Sequence, residues 1–460
     1  MSNNREAAIE YAHEHKQQFL DDLIQLSSIP SISANPDSKA DMLRAAEWIA
    51  KRMRSLGIDN VKIYQTEGHP VVYGETLKAG SDVPTALVYG HYDVQPPDPL
   101  ELWKTGPFEP TVRGENIYAR GVTDMKGQVM VFLDAIEAIT RTGTLPVNLK
   151  FLIEGEEEIG SPSLDAFVEQ HKEMLSCDFA INPDTGVVSP DLPTITYALR
   201  GLAYFEIRIQ GPDHDLHSGT FGGVVHNPAQ VLCDLIAGMK DKNGRITLPG
   251  FYDQVRPLSE EERQELARLP LREDFYKKAT GAPAFFGEAG YSLVERAGAR
   301  PTLDVNGIQS GYTGPGSKTV LPSKAMAKVS MRLVPDQDPK EIHKSLKTYL
   351  EQNTPETVTW ELIAMAGGPA SISDRNSPYV QALSQAMESV WGKRPIFKRE
   401  GGSVPVVSLF QNELKVESVN TGFAMPDDNM HSPNEKMHLP TWYRGIDTFI
   451  NFFYNLKDVH

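Results

Sequence analysis

Cysteine is scarce in this sequence, with only Cys177 and Cys233 in 460 residues. Each lies in an apolar-flanked stretch, so both read as buried, reduced thiols rather than a disulfide, and a reducing cytoplasm is the simplest compartment. Long apolar runs are lacking as well. No stretch approaches the ~20 residues of a membrane span. The opening "MSNNREAAIEYAHEHKQQFLDDLI" has no signal-peptide core and reads as a polar amphipathic helix. Positive charge is in deficit: 45 Lys and Arg against 61 Asp and Glu leave a net charge of −16. That argues against a nucleic-acid backbone as partner, which needs a basic stripe, and against anionic membrane surfaces. There is no internal repeat and no low-complexity tract.

What is present is a soluble, globular composition, 40% hydrophobic and 23% charged, with enough apolar material for a sizeable core. The length suggests about two or three domains. The first part alternates helix and strand. "MLRAAEWIAKRMRSLG" (42–57) has helical apolar spacing and stops at glycine. "TALVYG" (85–90), "NLKFLI" (148–153) and "FAIN" (179–182) read as buried strands, and "GQVMVFLDAIEAIT" (127–140) as a helix. Together they predict a twisted α/β sheet.

Near Arg200 the pattern changes. "YFEIRIQG" (204–211) and "AKVSMRLVP" (327–335) alternate as half-exposed strands do. "PKEIHKSLKTYLEQ" is helical and "TVTWELIA" (357–364) is a further strand, which suggests a smaller α/β sandwich with one open sheet face. Residues 250–300 read as an irregular helical excursion and "GGPASISDRNSP" (367–378) as a return linker. Helices "YVQALSQAMESVWG" and "WYRGIDTFINFFYNL" follow. One α/β domain interrupted by an insertion at about 200–368 accounts for this order.

Four polar clusters fall at strand ends or helix starts in the first part: "GHYDVQP" (90–96), "RGVTDMKG" (120–127), "EGEEEIGS" (154–161) and "NPDTG" (182–186). In open α/β sheets the carboxyl ends of strands are where sites form. Each cluster alone has a plain reading: a hydrogen-bonded structural histidine, a turn aspartate, a solvated glutamate run. Gathered together, the acidic clusters would repel one another without cations. His and carboxylates are ligands for zinc or manganese.

The strings "GHYDVQPPDPLELW", "RGVTDMKG", "EGEEEIGS", "DLHSGTFGG", "KTVLP…MRLVP", "REGGSVP" and "MHSPNEKM" occur in this order over nearly the whole chain. In this the sequence resembles the dinuclear-zinc metallopeptidases of cocatalytic type. That family includes cytosolic nonspecific dipeptidases and carnosinases, aminoacylase, acetylornithine deacetylase, succinyl-diaminopimelate desuccinylase and glutamate carboxypeptidase. The opening motif is most similar to the dipeptidase branch.

The resemblance implies an α/β fold. A catalytic domain with a twisted mixed sheet flanked by helices would span 1–199 and 369–460. A smaller α+β, ferredoxin-like lid and dimerisation domain would interrupt it over 200–368. It also implies two divalent metal ions per subunit, zinc first and manganese as the other candidate. Asp124 would bridge them, His91 and Asp184 completing one position and Glu158 and His431 the other. Glu157 would act as general base and then general acid for hydroxide attack on the scissile carbonyl. Asp93 would fix the tautomer of His91. Glu154 and Glu156 have no ligand role in this scheme and read as solvated or supporting residues. His217 would reach the partner subunit's metal site in a homodimer and steady the oxyanion. Arg332 would take the substrate's C-terminal carboxylate, with Thr319 and Ser403 as helpers. His214 and His226 read as structural.

The activity so implied is cytoplasmic hydrolysis of dipeptides, or short peptides with a free carboxylate. Three competitors stand beside it. An N-acyl-amino-acid amidohydrolase, of deacetylase or desuccinylase type, would keep the metals and base and change the lid pocket. Asp184, where deacylases resemble a glutamate pattern, leans towards the peptidases. A metal-free, non-catalytic binding protein of the same fold would lack a ligand or base, and here all six positions are filled. A serine hydrolase would need a G-x-S-x-G elbow, which "GGSVP" and "LHSG" do not supply.

Overall fold

The computed structural model describes residues 2–402 and 404–459. Its contacts divide the chain into two units. The first takes the residues up to Tyr197, then Ser373–Lys398 and the chain from Val404 onwards. The second takes Ala198–Ile372 and a short segment beginning at Arg399.

The first unit is built on a mixed sheet. Its strands run in the order Asp59–Tyr64, Val71–Thr76, Asn148–Glu154, Thr85–His91, Phe179–Asn182, Glu417–Asn420 and Thr194–Leu199. Asn148–Glu154, Thr85–His91, Phe179–Asn182 and Glu417–Asn420 are mutually parallel, and the pairs on either side are antiparallel. These parallel strands are buried on both faces, which is why they read as unbroken apolar runs rather than alternating ones. Helix Gly127–Thr142 is buried along nearly its whole length. It packs against Leu439–Leu456 and the N-terminal helix Ser2–Glu14. A second helix, Lys16–Ser27, follows the first, so the N-terminal region is two helices rather than one.

The second unit is α+β. Four antiparallel strands lie in the order Thr302–Ser310, Lys324–Leu333, Gly201–Gln210, Thr359–Gly368. With helices Pro228–Gly238 and Pro339–Asn353 following the first and third strands in chain order, this is a ferredoxin-like βαββαβ arrangement. Asn227 and Asp338 cap the two helices, each followed by proline at the first helical position. Ile207, Ile209, Val329 and Met331 on one sheet face pack with Val231, Leu232, Ile342 and Leu346 of the helices. The other face carries Glu206, Arg208 and Lys328, which explains the clean alternation of these strands.

Two local readings need correction. The stretch 367–378 is not a plain linker: strand Thr359–Gly368 runs into it, and Ser371–Ile372 pairs with Ala198 and Leu199. Cys233 is exposed and only Cys177 is largely covered, both as free thiols. Cys233 lies on the outward side of its helix, opposite the Val231, Leu232 and Leu235 stripe. Among the described residues, no helix is long and apolar enough to cross a membrane.

Candidate metal centre

The parallel strands Thr85–His91, Asn148–Glu154 and Phe179–Asn182 end on the same side of the sheet, with His91 directly opposite Glu154 in register. His91 is therefore the last residue of its strand. Glu157 and Glu158 lie in the short turn after the second strand, and Asp184 two residues after the third. Asp124 lies in the turn Val122–Lys126 that leads into helix Gly127–Thr142. That turn begins at Gly121, whose φ is +79° and where a Cβ would lie 2.2 Å from Val94 Cγ1, so only glycine fits. His431 comes from a loop in which Asn429, His431 and Asn434 all have left-handed backbone angles.

These segments converge. His91 Nε2 lies 3.2 Å from Asp124 Oδ1, and His431 Nε2 lies 2.9 Å from Asp124 Oδ2. His431 Nε2 is also 3.3 Å from Glu158 Oε2. Two sets result, His91–Asp124–Asp184 and Asp124–Glu158–His431. In each, one potential ligand atom per residue lies within 4.8 Å of the others, and Asp124 belongs to both.

Asp93 is fully buried beneath them. His91 Nδ1 is 3.1 Å from the Asp93 carbonyl oxygen and 3.3 Å from its Oδ1. With Nδ1 facing oxygens, an imidazole proton belongs there, and Nε2 is the nitrogen turned towards the cluster. The same carboxylate accepts the backbone N–H groups of Glu157 (3.2 Å) and Glu158 (3.0 Å). Gln95, which sequence reasoning passed over although it lies in "GHYDVQP", donates from Nε2 to Glu158 Oε2 at 2.9 Å.

The other two glutamates of the acidic loop are not solvated. Glu154 is buried and accepts the Tyr89 and Ser161 hydroxyls, each at 2.9 Å. Glu156 is buried and accepts the backbone N–H groups of His69 (2.9 Å) and Ser163 (3.1 Å). They shape the loop from beneath, which leaves Glu157 and Glu158 as its half-buried pair.

Electrostatics show a site short of positive charge. Burial, reinforced by Asp184, Glu158 and Asp124, pushes Glu157 up to about 9. Burial and the Asp124 charge push Asp184 up to about 7. Hydrogen bonds to Asp124 and Glu158 raise His431 to about 10. Burial opposes ionisation of Asp124, but hydrogen bonds from His431 and His91 hold it below the usual carboxylate range. Carboxylates held partly protonated and imidazoles held charged are what crowding produces when protons alone balance it. Divalent cations would supply that charge, and the mixed oxygen and nitrogen donor set suits zinc or manganese.

The remaining candidates lie in the second unit. His217 and Thr319 come together there. Strand Leu216–His217 pairs with Val320–Leu321, and Ser218 donates its N–H to the Thr319 carbonyl at 3.0 Å. His217 is exposed, and its Nδ1 accepts the Gly219 N–H at 3.0 Å. Arg332 lies on strand Lys324–Leu333, on the face opposite the core. It lies near enough to the largely buried Arg200 that burial and the Arg332 charge together lower Arg200 to about 10. His226 bonds Thr357 and His214 bonds Asp213, both on the exposed surface. Ser403 lies outside the described residues.

The family model "Peptidase family M20/M25/M40" matches residues 87–455, a span that holds every residue of both ligand sets. The chain belongs to this peptidase family. It is similar to the Cys-Gly metallodipeptidase DUG1 of Candida albicans, with 32% identity over 95% of this chain and 94% of that protein. It is similar to the human Beta-Ala-His dipeptidase, with 31% identity over 99% and 93%. Among solved structures, the M20 family metallo-carboxypeptidase Sso-CP2 from Sulfolobus solfataricus superposes with a TM-score of 0.85. It has 34% identity and covers 95% of this chain and 99% of that one. Membership of this M20 family makes the protein a metal-dependent peptidase.

Proposed function

We propose that this metallopeptidase hydrolyses dipeptides through a dinuclear site. One metal would be held by His91, Asp124 and Asp184 and the other by Asp124, Glu158 and His431, with zinc as the first candidate and manganese as the second. The observation that carries this reading is the sharing of Asp124, whose two carboxylate oxygens face different imidazoles. The names of the similar proteins, Cys-Gly metallodipeptidase and Beta-Ala-His dipeptidase, support a dipeptide substrate.

When bound, two divalent ions polarise a scissile carbonyl and lower the pKa of a nearby water towards neutrality. The chain's own residues do the rest. Glu157 belongs to neither ligand set, yet its backbone is held beside Glu158 by Asp93. Its carboxylate takes a proton from the attacking water and delivers it to the leaving amine nitrogen. Asp93 keeps the His91 proton on Nδ1. In the second unit, the Arg332 guanidinium receives the substrate's C-terminal carboxylate in bidentate fashion. Thr319 and Ser403 assist, and His217 donates a hydrogen bond to the developing oxyanion. The second unit serves as lid and dimerisation domain of a homodimer, in which His217 acts on the partner subunit's site. The paucity of cysteine and the lack of a basic stripe favour a cytoplasmic enzyme of small peptides.

The test is a substrate panel of dipeptides, longer peptides and N-acyl amino acids, run before and after chelation. Dipeptide turnover that chelation abolishes and zinc or manganese restores is the expected result. Robust turnover of N-acyl amino acids alone would overturn the dipeptide assignment.

A further inference from the structure

Four residues beyond His431, the chain buries a carboxylate that the mechanism above does not use. Glu435 is 1% exposed, and each of its oxygens is engaged twice. Oε2 accepts Arg120 Nη1 at 2.7 Å and the Gly121 N–H at 2.8 Å. Oε1 accepts the Thr123 N–H at 3.0 Å and the Asp124 N–H at 3.1 Å. The Glu435 carbonyl also accepts the Ala119 N–H at 3.2 Å. No acceptor direction is left for a metal or a substrate. Glu435 instead replaces the backbone partners that the irregular turn before helix Gly127–Thr142 does not provide for itself.

The same segment carries the second imidazole. His431 sits in a loop whose left-handed residues, Asn429, His431 and Asn434, are sterically costly and persist only where neighbours fix them. Asn434 bonds the Lys104 N–H (2.9 Å) and the Leu102 carbonyl (2.8 Å) on one side. Glu435 grips the Asp124 turn on the other. Asp428 closes the loop's start, bonded by Lys436 Nζ at 2.9 Å and by the Thr123 hydroxyl at 3.2 Å.

We propose that Glu435 is a positioning residue that sets the Asp124 turn and the His431 loop in one register, so that both metal positions depend on it. The inference rests on the ligand sets proposed above. Arg120 Nη1, 2.7 Å from Oε2, offsets part of the charge of this buried carboxylate. Glutamine at 435 would turn an amide N–H₂ towards two N–H donors, and aspartate would withdraw the carboxylate by one methylene.

The test uses full-length protein stripped of metal and titrated with zinc against a chromophoric chelator. Glu435→Gln, Glu435→Asp and Asp124→Asn are compared with wild type, and each metal-free form is melted. The expected result is that both Glu435 variants bind zinc about 10–100-fold more weakly at both positions together, the usual effect of losing a partner behind a ligand. The Glu435→Asp metal-free protein still melts cooperatively. Wild-type affinity at both positions, or a loss confined to one, overturns the proposal. So does a lowered metal-free melting temperature with zinc affinity unchanged, which a purely structural role would give. If Glu435→Gln does not fold, Glu435→Asp decides alone. If Asp124→Asn itself binds two zinc ions as wild type does, the ligand sets fall and this inference with them. If it loses zinc while the Glu435 variants keep it, only this inference falls.

Discussion

The Asp93 carboxylate lies under Glu158 and accepts its backbone N–H at 3.0 Å while facing the His91 imidazole at 3.3 Å. One buried side chain thus faces the His91 ring and also holds the start of the turn that carries Glu157 and Glu158. Asp93 was expected to serve His91 alone, so its grip on the acidic loop is the larger finding.

Asp93→Asn keeps the size but offers one acceptor where two N–H donors converge. We expect zinc affinity and turnover to fall together by about 10–100-fold, with the far-ultraviolet circular dichroism unchanged. A chelator competition assay measures it. Unchanged affinity with reduced turnover would mean that Asp93 does not hold the ligands.

Away from the site, Arg52 joins three helices through Asp134 (2.9 Å), Glu137 (2.5 Å) and Asp22 (3.3 Å). Burial raises Asp134 well above the usual carboxylate value, and Arg52 only partly offsets it. Burial also pushes Glu137 upward, but the Arg52 charge and hydrogen bonds outweigh it and leave Glu137 below its ordinary value. In Arg52→Met, burial acts on Asp134 without its guanidinium partner, and at Glu137 only the Tyr11 and Gln18 hydrogen bonds and the more distant Arg141 still oppose it. The folded state then binds more protons than the unfolded chain, so its stability falls as pH rises above the unfolded carboxyl values of about 4. We expect a deficit of about 3–5 kcal/mol near neutral pH that shrinks as the pH is lowered. Urea unfolding at two pH values checks this, and a deficit independent of pH contradicts it.

Thiol reactivity follows from the unequal burial of the cysteines. Burial pushes the Cys177 thiol up to about 12, whereas Cys233 is exposed. A thiolate-specific reagent at mildly alkaline pH should label one thiol rapidly in the native protein and two after denaturation. Two fast thiols in the native state would contradict the packing around Cys177.

Much of this was legible in the sequence, for identifiable reasons. The parallel strands at Thr85 and Phe179 are short apolar runs ended by glycine or polar residues, and their ends mark the site. The alternating strands of the second unit have one wet face, so their period of two is plain. Strand Asp59–Tyr64 has charged and polar residues at an edge, and Glu417–Asn420 has only one large apolar residue, so neither shows a period. Within the site, the supporting residues were the harder part. Glu435 and Gln95 both stand in motifs that pointed to neighbouring histidines, but their roles depend on partners more than sixty residues away. Spacing along the chain carries no signal for such contacts. The ranking among the four glutamates of "EGEEEIGS" came from resemblance. Glu154 and Glu156 lie buried beneath the loop, their carboxylates taken up by hydrogen bonds.

In the proposed mechanism adjacent Glu157 and Glu158 do different work, one moving protons and the other holding metal. Metal content and dipeptide turnover measured side by side on Glu157→Gln and Glu158→Gln test it most directly. Glu157→Gln is expected to keep two metal ions per chain and lose about 10²–10⁴-fold in turnover, while Glu158→Gln loses one ion. Equal metal loss in both variants, or a Glu157→Gln enzyme of near wild-type rate, would contradict it.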